Sequence, residues 1–271
     1  KYTNGKIKSP SKDMYGIKGL DDFIFNEYIN HIKTKDDFLW TIEETAKNAI
    51  EDGVSLLEAS IDCHDVLRFE DSKEFFSGIK NIVEKYKENI DFRPEIGIAK
   101  SITDENLENI IPALIESNIF KSMDLYGDEE LIGFERYKKY YEYGKSKGLK
   151  LKAHAGEFLG SSNVKDAINT LNLDELQHGF RAIEDGYVVD MIKDRNIRLN
   201  ICPTSNIYLK AIDDIKNHPI KKLFDKGINI SINTDDLIVF DSSVSEEYLM
   251  LYSNKIFTEE ELDIIRRNSL K

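Results

Sequence analysis

Apolar positions along this chain follow two spacings. Short, often β-branched runs recur at residues 54–61, 92–99, 120–125, 149–153, 174–177, 197–201 and 228–232. Between them, apolar residues return every three or four positions, the period of a helix with one buried face. Phe38, Leu39, Ile42, Ala46 and Ala49 form one such face, opened by Thr34-Lys35-Asp36-Asp37 and closed by Gly53. Phe75, Phe76, Ile79, Ile82, Val83 and Tyr86 form a second. Thr103 opens a third, with Leu107, Ile110, Ile111, Leu114 and Ile115, which Pro112 is expected to kink or interrupt. Further helices are expected over 134–147, ended by Gly148, and over 164–171, 186–193 and 219–226. In the last, Pro219 suits a first helical position and Gly227 the stop. Residues 1–19, with four glycines or prolines among lysines and serines, read as loop, and 21–32 as a helix.

Strands alternating with helices argue for an α/β fold with a parallel sheet. Near-continuous apolar strands fit a sheet covered on its outer face. A closed parallel barrel has eight strands, and this pattern gives one fewer. The expectation is a TIM-type (β/α)8 barrel whose first strand would precede Lys1, with residues 1–271 forming a single, incomplete barrel domain. Internal repeats, low-complexity segments and interdomain linkers are absent from the sequence.

The net charge of −13 discourages binding to phosphate backbones or anionic membranes. No stretch is apolar for long enough to span a bilayer, and no signal peptide is visible. The two cysteines, Cys63 and Cys202, lie far apart without a CxxC spacing. They read as free thiols of a reducing compartment, which makes the cytoplasm the expected location.

Ionisable groups cluster directly after the apolar runs, where a barrel enzyme keeps its chemistry. His154 and Glu157 follow the fourth run and read either as a metal ligand beside a proton donor or as a core histidine beside a capping carboxylate. His178 follows the next. Asp235 and Asp236 follow the last, and two adjacent carboxylates there are costly to bury without a metal or cation. Cys202-Pro203-Thr204-Ser205-Asn206 reads as a rigid turn and pocket wall. Asp62, Cys63, His64 and Asp65 are metal-like side chains, but strand alternation is expected to spread them over different faces. His31 and His218 read as helix-edge or capping residues, and Tyr137, Tyr140, Tyr141 and Tyr143 as a half-exposed helix face. No P-loop, GxGxxG, GxSxG or HExxH motif is present.

Taken together, Lys152-Ala153-His154-Ala155-Gly156-Glu157, Gln177-His178-Gly179, Cys202-Pro203-Thr204-Ser205-Asn206, His218-Pro219 and Asn233-Thr234-Asp235-Asp236 resemble, in this order, the adenosine deaminase family. The resemblance runs from about Ile42 to Lys271. It implies a one-zinc barrel that deaminates adenosine, or a related 6-aminopurine nucleoside, to inosine and ammonia by a zinc-activated water. It makes His154 and Asp235 zinc ligands and Glu157 the donor of a proton to purine N1. It makes His178 and Asp236 the groups that orient and deprotonate the water, with Asp236 also touching substrate. Gly127, in Asp124-Leu125-Tyr126-Gly127-Asp128-Glu129, matches a glycine whose N–H meets purine N3. The implied partner is a small purine nucleoside. Three departures stand out: no His-x-His pair occurs, Leu237 follows the paired aspartates in place of a proline, and Ser60 and Lys100 stand where many members carry arginine. The first agrees with the strand count and leads to the expectation of an N-terminal segment before Lys1. The alternative reading is a relative that binds a nucleoside or a partner without turnover.

Overall fold

In the computed structural model of the protein, residues 16–131 and 133–270 are described. The first element among the described residues is α1 (Gly16–Phe23), which runs into a π turn at Ile24–Tyr28. Residues 16–19 are therefore helical rather than loop, because Leu20 and Phe23 supply a buried face; the rest of that expected loop lies outside the described residues. Two compact units follow from the contacts.

The first unit holds Asp21–Gly127 and Lys139–Lys150. Its elements are α2 (Lys35–Glu51), β1 (Leu56–Asp62), α3 (Ser72–Tyr86), β2 (Asp91–Ala99), α4 (Asp104–Glu116), β3 (Ser122–Tyr126) and the body of α5 (Lys138–Ser146). The Thr34 side chain and Asp37 cap α2 reciprocally, as their spacing requires. Strands β1, β2 and β3 pair in parallel, with Asp62 opposite Gly97 and Gly97 opposite Asp124. Pro112 sits inside an uninterrupted α4. The buried face of Leu107, Ile110, Ile111, Leu114 and Ile115 outweighs the one backbone hydrogen bond that proline removes. Tyr137, Tyr140 and Tyr141 are buried rather than half-exposed, because a 3-10 turn at Phe134–Tyr137 precedes α5 and turns the ring-bearing face inward.

The second unit holds the described residues of 16–20, 128–138 and 151–270. It contains β4 (Lys150–Ala155), α6 (Ser161–Leu171), β5 (Glu175–His178), α7 (Gly186–Asp194), β6 (Arg198–Ile201) and α8 (Pro203–Tyr208). After these come α9 (Ile220–Asp225), β7 (Ile230–Ile232), α10 (Leu237–Phe240), α11 (Val244–Ser253) and α12 (Glu259–Ser269). Pro219 occupies the N-cap of α9 rather than its first helical position. Strands β4 to β7 are parallel in sequence order. Residues 154–155 of β4 pair with 177–178 of β5, Gln177 pairs with Asn200, and Ile201 with Ile232. The chain segments bearing His154, His178, Cys202 and Asp235 thus all leave the sheet at one end.

These strands also bury polar and charged side chains. Glu175 accepts from Arg198 at 2.8 Å and Asn200 at 2.9 Å, and Lys152 lies 3.2 Å from it. Ser231 donates to Asn200 at 2.7 Å. All five residues are buried. Period-2 alternation puts them on one face, where each charge has a partner of opposite sign.

Candidate active site

Strand β5 ends on His178, whose φ is +60°, and β7 is followed by Asp235 at φ +59°. Non-glycine residues rarely adopt this left-handed backbone, and such strain persists where the surroundings fix it. It turns both side chains toward Glu157. His178 Nε2 lies 3.5 Å from Glu157 Oε2 and 3.8 Å from Asp235 Oδ2. The His154 ring lies 5.2 Å from the His178 ring. Asp236 is adjacent, and its backbone N–H donates to Asp235 Oδ1 at 2.9 Å. Five of the six residues singled out in the sequence therefore meet in the second unit. Gly127 follows β3 in the first unit, with a φ of +102° that favours glycine.

A chain of hydrogen bonds fixes the protons. The backbone N–H of Ile220 donates to His218 Nδ1 at 3.0 Å, so His218 Nε2 carries hydrogen and donates to Asn206 Oδ1 at 3.2 Å. That orients the Asn206 amide, whose Nδ2 donates to Glu157 Oε1 at 2.7 Å and to His178 Nδ1 at 3.0 Å. His178 Nδ1 is thus an acceptor, and its proton sits on Nε2, facing the carboxylates. Burial, with His178 nearby, holds His218 down to about 3, so it stays neutral.

The turn carrying Glu157 is clamped from both sides. Glu129 accepts from the backbone N–H groups of Glu157, Phe158 and Leu159 at 2.9, 3.2 and 2.6 Å. Arg181 Nε donates to the Glu157 carbonyl at 2.8 Å. Gly156, at φ +75°, would place a Cβ 2.2 Å from Val164, so only glycine allows this turn against α6. Burial first, and then the charge of Asp235, push the Glu157 carboxyl up to about 8, with His154 opposing. Enclosure of the Asp236 carboxyl, followed by the charge of Asp235, raises it too, although the residue keeps exposed surface.

Sequence reasoning treated Ser205, Asn206 and His218 as turn and capping residues and did not single out Arg181. Glu129 entered only as part of a turn motif. Ser205 and Asn206 are fully buried. They follow an apolar strand and Pro203, which starts α8 at its first turn. A buried amide at that point must find partners, and that was the available signal. Ser205 donates to Asp235 Oδ2 at 2.6 Å.

His154 and Asp235 are donor types that zinc accepts. Ligand atoms of His178, Cys202 and Asp235 also lie within 4.8 Å of one another, so the cluster offers more donors than the expected pair. Among the described residues no lysine or arginine pairs with Asp235 or Asp236, and a bound cation would offset their charge. The residues fit a metal ion.

A parallel α/β sheet with an acid, a histidine and paired aspartates at its strand ends defines a metal-dependent hydrolase of the TIM-barrel type. The adenosine deaminase family model matches residues 12–271, and the chain belongs to that family. A putative adenosine/adenine deaminase of Treponema pallidum is 34% identical over 247 residues, covering 90% of this chain and 83% of that protein. The crystal structure of adenine deaminase from Arthrobacter aurescens superposes with a TM-score of 0.86 at 23% identity, over 95% of this chain and 80% of that one. A Burkholderia ambifaria amidohydrolase structure with bound zinc gives 0.79 at 21% identity, over 95% and 73%. The protein is an enzyme that deaminates adenine-type substrates. No helix among the described residues is long and apolar enough to cross a membrane.

Proposed function

We propose that this protein hydrolyses the 6-amino group of adenosine, or a closely related aminopurine nucleoside, to give inosine and ammonia. The observation that carries this reading is the cluster of Glu157, His178 and Asp235 locked by Asn206. His154 and Asp235 would hold zinc, which supplies Lewis acidity and lowers the pKa of water toward about 7. The neighbour with bound zinc supports that choice of ion.

Glu157, protonated up to about pH 8, holds the proton that purine N1 needs as water adds at C6. His178 presents Nε2 to the reacting water and is kept in that tautomer by Asn206. Asp236 takes a proton from the reacting water and accepts a hydrogen bond from substrate. That proton passes from Asp236 to the amino group, the C6–N bond breaks as ammonia leaves, and the C6 hydroxyl proton returns to Glu157 as the carbonyl of inosine forms. The two cysteines are free and buried, in keeping with a cytoplasmic enzyme.

The test is conversion of adenosine in heavy-oxygen water, with adenine run alongside. The reading expects the heavy isotope on C6 of inosine and equimolar ammonia. Turnover of adenine alone would move the substrate to the free base, and turnover of neither would remove the reading.

A further inference from the structure

Strand β1 ends at Asp62, and the chain turns at once into a 3-10 segment, Cys63–Arg68. Strand alternation, which would have scattered the next side chains, stops there. Asp62 accepts the His64 backbone N–H at 2.7 Å and the His64 Nδ1 hydrogen at 2.9 Å on the same oxygen, Oδ1. His64 Nδ1 also lies 3.9 Å from Cys63 Sγ. The three side chains thus converge, with their ligand atoms all within 4.8 Å of one another. Tyr126, at the end of β3, donates its hydroxyl to the other oxygen of Asp62. All four residues belong to the first unit.

We infer that Asp62, Cys63 and His64 form a binding site for a divalent cation of borderline softness, of the zinc, cobalt(II) or cadmium kind. The donor set is one carboxylate oxygen, one imidazole nitrogen and one thiolate sulfur, a mixture that hard magnesium or calcium does not favour. Bond lengths of about 2.0–2.3 Å to such ligands put neighbouring donors roughly 3.3–3.7 Å apart in a tetrahedral shell. The observed 2.9 and 3.9 Å bracket that range, so entry needs shifts of only about half an ångström. Asp62 and His64 each keep 34% of their side-chain surface exposed, which leaves a path for the ion and room for a water as fourth ligand. On binding, bonds form to Oδ1, Nδ1 and Sγ; the thiol proton leaves to solvent, and the imidazole binds as the neutral ring with its one hydrogen on Nε2. The Tyr126 hydroxyl orients the carboxylate from outside the shell, the arrangement that tunes metal ligands elsewhere.

The test is a cobalt(II) titration of the chelator-treated full chain, followed by the near-ultraviolet band of a thiolate bound to cobalt. The wild-type protein is expected to develop this band. Cys63→Ser is expected to lose it, His64→Ala to weaken the midpoint at least about tenfold, and Tyr126→Phe to weaken it by roughly 10–100-fold. Thermal unfolding of each variant separates lost ligation from lost fold. A wild-type protein without the band overturns the inference. So does a band that survives Cys63→Ser and disappears in Cys202→Ser.

Discussion

Asn206 Nδ2 lies 2.7 Å from Glu157 Oε1 and, with its second hydrogen, 3.0 Å from His178 Nδ1. One amide nitrogen therefore sets both the position of the candidate acid and the tautomer of the histidine that donates Nε2–H toward the reacting water. Asn206→Ala is expected to lower kcat by about 10²–10⁴, the scale of one positioned proton-transfer group, with a smaller effect on KM. Asn206→Asp is expected to fall at least as far, since it sets a carboxylate beside Glu157. Steady-state rates of ammonia release check both.

His218 supports that amide from behind, and its burial gives a pH signature. Its folded-state value is held down to about 3 from the ordinary 6.5. A depressed value means that the unfolded chain takes up the proton first. Its stability contribution is present above about pH 6.5 and is lost as pH falls toward 3. The total is on the order of 3–5 kcal/mol. Denaturant unfolding at pH 7 and pH 4 measures the loss, and His218→Gln is expected to flatten it.

Glu175 is the buried anion shared by Lys152, Arg198 and Asn200. Removing it takes an ion-pair partner from two buried cations. Glu175→Ala is expected to cost about 3–5 kcal/mol, read from the urea midpoint. Glu175→Gln keeps the shape and some hydrogen bonds and is expected to cost less.

Gly156→Ala tests the turn that carries Glu157. The added Cβ meets Val164 at 2.2 Å and sits at φ +75°. Overpacking and backbone strain are each worth about 1–3 kcal/mol. Gly156→Ala combined with Val164→Ala is expected to recover the first and not the second, a partial rescue visible in thermal melts.

All seven described strands lie where short apolar runs predicted them, because the sheet buries apolar side chains from every strand. Interior polar positions such as Lys152 and Glu175 were hidden, since their partners come from other strands. His154, Glu157, His178, Asp235 and Asp236 were legible because ionisable groups directly after apolar strands stand out. Asn206 and His218 were not, because an amide and a capping histidine look alike in a turn and in a buried relay. Pro112 does not interrupt α4, because packing of the α4 face prevails over one lost hydrogen bond. The Asp62–His64 turn misled because alternation was carried past the strand's end at Asp62, into a 3-10 segment.

The central claim is that Glu157 delivers a proton to an aminopurine. The most direct measurement is the initial rate of ammonia release from adenosine by the wild-type protein and by Glu157→Gln under identical conditions. The account predicts turnover by the wild type and a rate about 10²–10⁴ lower in the variant, with adenosine binding retained. Equal rates in the two proteins would contradict it.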